Sequence, residues 1–297
     1  MKKVTKVVIP VAGFGTRFLP ATKSQPKEML PIVDKPAIHY IVEEAVASGI
    51  KTVIFVTTQT KRAIEDYFDS NPDLEEHLEK TEKKDLLKTI REISEMADFV
   101  YIRQKGPYGN GTPVLNAECI IEDEPFAVIW GDDLVESEEP RLKQLIEVYE
   151  RYNSPVLTAY PVSEEDTKRY GIIDGEEVEQ GVLRVRSIVE KPGPEKAPSK
   201  IAALGGYVLT PDIFDALRKT SLGKDNELWL VDSIFNLAKK RPVYACLIKG
   251  KYHDVGSKVG WLKANIDYAL KNREVADSLR DYIKNLAKDL EEKTNGD

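Results

Sequence analysis

Val7-Val8-Ile9 runs into Gly13-Phe14-Gly15 and then into a loop bearing Arg17, Lys23 and Lys27. A buried strand that ends in a glycine loop presents bare backbone N–H groups able to cradle phosphates. Pro20, Pro26 and Pro31 punctuate this loop, which predicts a long, stiffened, positive stretch rather than a helix. A polyanion such as a nucleoside triphosphate suits that chemistry. Two familiar phosphate loops fail on spacing. The P-loop needs a longer gap between its glycines and a Gly-Lys-Ser/Thr ending. The dinucleotide fingerprint needs a small residue where Phe18 stands and an uninterrupted helix where Pro20 stands.

Four further constellations stand at the ends of apolar runs, where open α/β sheets bind ligands. Gln104 offers a donor and an acceptor able to read the edge of a base, and Gly109 lets the backbone approach it. Asp132-Asp133 follows the run Phe126–Ile129, and adjacent carboxylates suit Mg²⁺, which takes one or two of them plus substrate phosphates. Glu190-Lys191 follows Leu183–Val189; a carboxylate there can accept from sugar hydroxyls while the ammonium pairs a phosphate. His253-Asp254-Val255-Gly256-Ser257 offers a second metal carboxylate, with His253 expected to be a structural donor rather than a ligand. His39 and His77 read as ordinary helix residues. No Ser/His/Asp or Cys/His triad is present in the pattern, so covalent catalysis is not required. Together these groups describe a site for a nucleotide, a metal and a phosphorylated polyol.

The elements that must position them alternate. Apolar β-rich runs at Val7–Val11, Thr52–Thr57, Phe99–Arg103, Phe126–Ile129, Pro155–Pro161, Leu183–Val189 and Val243–Ile248 are separated by helical patterns, with Leu204–Leu209 a further candidate strand. Such alternation predicts an α/β fold, a doubly wound, mostly parallel mixed sheet with helices on both faces. Ala37–Ser48 is expected to be a helix closed by Gly49. Residues 60–98 read as a charged helical excursion interrupted at Asn71-Pro72, residues 191–198 as a proline-rich loop, and residues 257–297 as a C-terminal helical region able to meet a partner subunit. No linker divides the chain, so 1–297 is expected to be one elaborated domain.

The 297 residues are 41% hydrophobic and carry a net charge of −7, which argues against a nucleic-acid-binding surface and requires positive charge to be gathered locally. Cys119 and Cys246 lie in apolar runs without metal-type spacing and read as reduced core residues of a cytoplasmic protein. No signal peptide or membrane span is expected.

Ala12-Gly13-Phe14-Gly15-Thr16-Arg17 with Pro26-Lys27-Glu28-Met29-Leu30-Pro31 closely resembles the signature of the sugar-1-phosphate nucleotidyltransferases, and its ending is similar to that of the uridylyltransferase branch. The likeness continues through Phe55-Val56-Thr57, Gln104, Gly131-Asp132-Asp133, Tyr170-Gly171-Ile172-Ile173, Glu190-Lys191-Pro192, Gly205-Gly206-Tyr207 and Asp254-Val255-Gly256-Ser257-Lys258, covering residues 4–272. This resemblance implies a Rossmann-like fold and Mg²⁺-dependent transfer of a uridylyl group from UTP to glucose 1-phosphate, giving UDP-glucose and pyrophosphate. It implies that Ala12, Gly13, Gly15, Thr16, Arg17 and Lys27 hold the triphosphate, and that Gln104, Gly109 and Glu28 form the uracil pocket. Asp132 and Asp254 would bind Mg²⁺, while Asp133, Gly171, Glu190, Lys191 and Gly206 would face the sugar phosphate. Arg17, Lys27 and Asp132 would be the catalytic set. A homodimer or homotetramer is expected, with no nucleic-acid or membrane partner.

Two stretches depart from the family pattern. Gly109-Asn110-Gly111-Thr112-Pro113-Val114 stands where Gly-Leu-Gly-His-Ala-Val is usual, and Glu227-Leu228-Trp229-Leu230-Val231-Asp232 where Glu-Ile-Gln-Leu-Thr-Asp is usual. They leave dTTP, or another hexose 1-phosphate, as an alternative substrate. A regulatory paralogue that binds a nucleotide sugar without turnover is the alternative from another class, and the full set of charged positions argues against it.

Overall fold

A computed structural model of the chain describes residues 2–294, apart from the side chains of residues 224, 293 and 294. The elements run β1 (Lys6–Pro10), β2 (Pro31–Ile32), β3 (Lys35–Pro36), α1 (Ala37–Ala47), β4 (Thr52–Thr57), α2 (Arg62–Tyr67), α3 (Pro72–Lys80), α4 (Lys84–Ser94), β5 (Asp98–Arg103), α5 (Gly111–Asn116), α6 (Glu118–Ile121), β6 (Phe126–Val128) and β7 (Asp133–Glu136). They continue with α7 (Arg141–Tyr152), β8 (Val156–Pro161), β9 (Gly171–Glu179), β10 (Val182–Glu190), β11 (Ile201–Leu209), α8 (Asp212–Lys219), α9 (Leu230–Ala238), β12 (Tyr244–Leu247), β13 (Lys251–Asp254), α10 (Lys258–Ala269) and α11 (Ala276–Thr294).

Side-chain alternation along β1 shows why this run is a central strand. Val7 and Ile9 face an apolar layer built with Ile38, Ile41 and Val42 of α1 and Leu142 and Leu145 of α7. Val8 faces the opposite layer, with Val114 and Ala117, and with Ile213, Phe214 and Leu217 of α8. All three are fully buried, and each contributes about 1.5–3 kcal/mol of transfer free energy. Helices therefore cover both faces of one nine-stranded sheet, ordered β5-β4-β1-β6-β11-β8-β12-β10-β9. The sheet is mixed, with less parallel pairing than segment alternation suggests. Pairing is parallel among β5, β4, β1 and β6 and between β12 and β8. It is antiparallel wherever β9, β10 or β11 meets another strand. β9 pairs with both β10 and β11, so that the strands from β11 to β9 close back on themselves.

Two small features frame the site. β7 and β13 form a separate antiparallel ribbon in which Asp254 stands opposite Asp133. β2 and β3 form a hairpin directly after the first loop, and its turn residue Val33 has φ +62°. α10 holds that hairpin: Trp261 Nε1 donates to the Pro31 carbonyl at 3.1 Å, and the Val33 N–H donates to Asn265 Oδ1 at 3.0 Å. In the charged excursion, Asn71 caps α3 by accepting from the Leu74 N–H at 3.1 Å, with Pro72 at the first helical position.

Three expectations are corrected. The stretch after Gly15 is not free of helix, because Thr16–Phe18, Ala21–Lys23 and Lys27–Met29 each make one 3₁₀ turn. Pro20 and Pro26 immediately precede two of them, and single turns need no donor from the proline itself. Cys119 is exposed rather than in the core, since it lies on the solvent side of the short α6, while Cys246 is buried; both thiols are free. Gly171–Glu179 is a nine-residue strand that no apolar run announces, because its second half is exposed and acidic. Among the described residues no helix is long and apolar enough to cross a membrane.

Candidate active site

The first loop folds back on itself. Gly15 takes φ +68°, and a Cβ there would lie 3.3 Å from both the Lys27 and Thr22 Cβ atoms. The Thr22 hydroxyl fastens the fold by donating to the Gly15 carbonyl at 2.7 Å. Lys27 is thereby carried next to the glycines, and its ammonium reaches Asp132 Oδ2 at 2.5 Å. Burial pulls the lysine pKa down, but Asp132 and Glu28 outweigh it, so the ammonium is held above the ordinary lysine value. Glu28 points inward, 1% exposed, and pairs with the ammonium of Lys61, 4% exposed, at 2.8 Å. Burial raises the Glu28 carboxyl, with Lys61 and Lys27 opposing. No motif in the sequence marks Lys61, although it follows β4 as the other site residues follow their strands.

The two expected metal carboxylates meet at Gly256. A Cβ at that glycine would collide with Asp132 Oδ2 and lie 3.2 Å from Asp254 Oδ1. The Val255 N–H donates to the Asp132 carbonyl at 3.1 Å, which stitches the start of the β7 ribbon to the end of β13. Arg17 arrives from the first loop: its Nη1 donates to the Gly256 carbonyl at 3.1 Å and lies 3.8 Å from Asp254 Oδ1. Arg169, which sequence reasoning did not single out, places Nη2 3.6 Å from Asp254 Oδ2 and its guanidinium 5.2 Å from the Tyr170 ring. Asp133 is turned under the pair and buried, accepting from the Tyr252 hydroxyl at 2.9 Å. Burial, with the charges of Asp132 and Asp254, pushes its carboxyl up to about 7 against the pull of Arg141 and Tyr252.

Gly171 and Glu190 stand opposite each other in the β9–β10 ladder, and a Gly171 Cβ would lie 3.1 Å from Glu190 Oε2. Lys191 pairs with Glu190 at 3.1 Å. It makes no ion pair with Asp132 or Asp254 among the described residues, and its link to them is indirect. Its backbone N–H donates to the Tyr170 carbonyl at 3.2 Å, and the neighbouring Arg169 reaches Asp254. Gly206 takes φ +109° in a β11 irregularity between Leu204 and Tyr207, and its carbonyl accepts from the Thr158 hydroxyl at 2.7 Å. Burial, with the Glu190 charge adding to it, raises the Asp232 carboxyl above its ordinary value.

Gln104 is fixed by its N–H donating to the Thr57 carbonyl at 2.9 Å. The following loop is zipped to residues 228–230: the Leu228 N–H donates to the Tyr108 carbonyl and the Gly111 N–H to the Leu228 carbonyl, both at 2.8 Å. Asn110 Oδ1 accepts from the Leu230 N–H at 2.8 Å. The two departing stretches, around Thr112 and around Trp229, are thus one unit in space. Thr112 is 2% exposed and its hydroxyl has no hydrogen-bond partner among the described residues. Phe14 and Tyr108, both exposed, bring the phosphate and base loops together with ring centroids 5.9 Å apart. Gly109 takes φ +114°, and a Cβ there would lie 2.6 Å from the Leu228 nitrogen. Gly109→Ala is therefore expected to open this loop and raise the nucleotide dissociation constant about tenfold, read by calorimetry with the folded variant. Unchanged nucleotide affinity would remove the loop from the site.

His253 is buried, but it is not the satisfied donor expected. Among the described residues its Nε2 has no hydrogen-bond partner, and it stands 3.7 Å from Asp267 Oδ2 and 3.8 Å from Glu136 Oε2, with burial lowering its pKa. Among the described residues no three His, Cys, Asp or Glu side chains form a metal cage. The Asp132–Asp254 pair is instead an open, two-carboxylate arrangement with cations on both sides.

The sequence profile of the nucleotidyl transferase family matches residues 6–271. A UTP–glucose-1-phosphate uridylyltransferase of Bacillus subtilis is 48% identical over 287 residues, covering 97% of each chain. One from Staphylococcus epidermidis is 49% identical over 286 residues, 96% of this chain and 99% of its own. Among solved structures, a UDP-glucose pyrophosphorylase complexed with UDP-glucose is 44% identical with a TM-score of 0.82, covering 91% of this chain and 100% of its own. A UTP-bound UGPase from Acinetobacter baumannii is 38% identical with a TM-score of 0.88, over 94% and 98%.

Proposed function

The chain belongs to the nucleotidyl transferase family, and from that premise we propose that it transfers a uridylyl group from UTP to glucose 1-phosphate, releasing pyrophosphate and giving UDP-glucose. The observation that carries the reading is the meeting of Arg17, Lys27, Asp132 and Asp254 around Gly256, a compact charged centre on an acidic protein. A phosphate oxygen of the sugar phosphate attacks the α-phosphorus of UTP. The new P–O bond forms opposite the breaking bond to the β-phosphate, and pyrophosphate departs with the bonding pair. No protein nucleophile is needed, since phosphoryl-type transfer rests on positioning and electrostatics.

The glycine loop Ala12–Thr16 presents its N–H groups to the triphosphate. Arg17 and Lys27 neutralise charge on the α-phosphoryl group and the leaving pyrophosphate. Gln104 and the Gly109 backbone read uracil. Glu28 is committed to Lys61, so any part it takes in that pocket is through its ion pair. Gly171, Glu190 and Gly206 face the glucosyl hydroxyls, with Lys191 on its phosphate. Asp132 and Asp254 fit Mg²⁺: they flank one glycine, Lys27 and the two arginines stand in for a counter-charge, and Asp133 is destabilised as an anion beside them. Bound there, Mg²⁺ would supply Lewis-acid stabilisation of the phosphate oxygens as charge develops on them.

A pyrophosphate-release assay across UTP, dTTP, CTP and ATP with glucose, galactose and mannose 1-phosphates tests this. UTP with glucose 1-phosphate should have the highest kcat/KM. Turnover of no pair would sink the reading, and preference for dTTP or another hexose 1-phosphate would favour the alternative raised by Thr112, Pro113 and Trp229.

The sheet shared by both apolar layers supports reading 1–297 as one nucleotidyltransferase domain, with residues 295–297 outside the described ones. Two free cysteines favour a cytoplasmic setting. Exposed Val259, Leu262 and Ile266 on α10, with Tyr282 and Leu286 on α11, favour assembly into a homodimer or homotetramer.

A further inference from the structure

The largest fully buried side chain in the molecule is charged. Arg141, at the start of α7, is 0% exposed. Its Nε and Nη2 bind the two carboxylate oxygens of Glu44 on α1 at 3.0 and 2.9 Å. Two further hydrogens go to the backbone: Nη1 donates to the Gly205 carbonyl at 2.9 Å and Nη2 to the Asp133 carbonyl at 3.2 Å. Filling space does not explain this residue, because an apolar side chain of similar volume would avoid the desolvation penalty of a buried ion pair.

What a methionine could not do is hold two carbonyls. Gly205 lies where the β11–β8 register jumps from Leu204 to Tyr207, and Asp133 is the first residue of β7. Each clamped carbonyl belongs to the neighbour of a site residue: Gly205 precedes Gly206, and Asp133 follows Asp132. We infer that Arg141 is a positioning residue for the transfer reaction, its guanidinium fixing the glycine turn at the sugar and the aspartate at the metal in one mutual geometry. Glu44 keeps the guanidinium oriented, and it also accepts from the Leu142 N–H at 3.0 Å. The Thr158 hydroxyl on the Gly206 carbonyl completes the support from the β8 side. A planar five-donor group on rigid elements suits this task, and a lysine ammonium cannot reach both carbonyls and both carboxylate oxygens at once.

The inference rests on the proposed transfer reaction for its catalytic part, and its test separates the two. Arg141→Met alone strands a buried carboxylate and threatens the fold, so the informative variant is Glu44→Gln with Arg141→Met, which removes both charges and keeps an acceptor for the Leu142 N–H. That double variant should melt close to the wild type. Its kcat with UTP and glucose 1-phosphate should fall about a hundredfold from misplacement of the reacting groups, with the KM for UTP within about twofold. Arg141→Lys should preserve the fold and fail to restore kcat. Amide hydrogen exchange across residues 203–208 should quicken in both variants, while Val7–Ile9 stays protected. Wild-type kcat in the double variant or in Arg141→Lys, or unchanged exchange at 203–208, would overturn the inference. A wild-type protein that turns over no substrate pair would overturn the preceding reading instead, and the exchange result would still decide this one.

Discussion

Lys27→Met is expected to lower kcat about a thousandfold, since removing one preorganised charge from a transition-state site costs on that order. Methionine keeps the aliphatic bulk that packs against Gly15, so the loop's path survives while its charge is lost. The KM for UTP should move much less, because on this proposal Arg17 and the glycine-loop amides would still bind the ground-state triphosphate. Single-turnover quench-flow separates the chemical step from binding. A kcat within tenfold of wild type would show that Lys27 is only a partner for Asp132. The pH profile adds a check with a definite sign. The folded ammonium is raised above the ordinary lysine value of 10.5, so it stays charged through that value and loses its proton only at higher pH. Its contribution to stability is likewise complete below 10.5 and lost above the folded pKa. A fall in kcat between pH 8 and 10 that vanishes in Lys27→Met would contradict this.

Asp254→Asn is the second large effect. The amide keeps the side chain's size and an acceptor for Arg17 but removes one of two carboxylates at Gly256. The magnesium midpoint for activity should rise at least about a hundredfold, the loss typical when a metal site is disturbed even at its second layer. A readout independent of turnover exists, because magnesium should raise the wild-type melting temperature through binding to the native state and should leave the variant unmoved. Chelation with EDTA should abolish wild-type activity and have it return on adding Mg²⁺. An identical Mg²⁺ titration in variant and wild type would take Asp254 out of the metal site.

Much of this is legible in the residues because strand ends carry the chemistry in open α/β sheets. β1 and its glycine loop, β4, and the residues following β5, β6 and β10 stand close to where hydrophobic patterning puts them. What patterning does not reveal is register between distant segments. The ribbon of β7 and β13 joins two four-residue strands more than a hundred positions apart, too short to carry a periodic signal, yet it decides that Asp132 and Asp254 meet. Arg141 opens the charged helix α7 and Glu44 stands beside Glu43 on the mostly apolar α1, and nothing in their local sequence says that they bury each other. Lys61 and Arg169 escape notice for the same reason, since their partners, Glu28 and Asp254, are contributed by distant loops. The sugar side reads in sequence as a set of separate residues, but the hidden strand β9 is what brings Gly171 opposite Glu190.

The grip of α10 on the β2–β3 hairpin has a consequence for how the molecule comes apart. That helix begins shortly beyond Asp254, and its Trp261 and Asn265 hold the backbone just downstream of Lys27. A left-handed valine in the turn has strain to release once its amide loses Asn265. Fraying of this tail would therefore not be local: it would slacken the Lys27 loop and Asp254 together, so that inactivation on heating should precede loss of the central sheet.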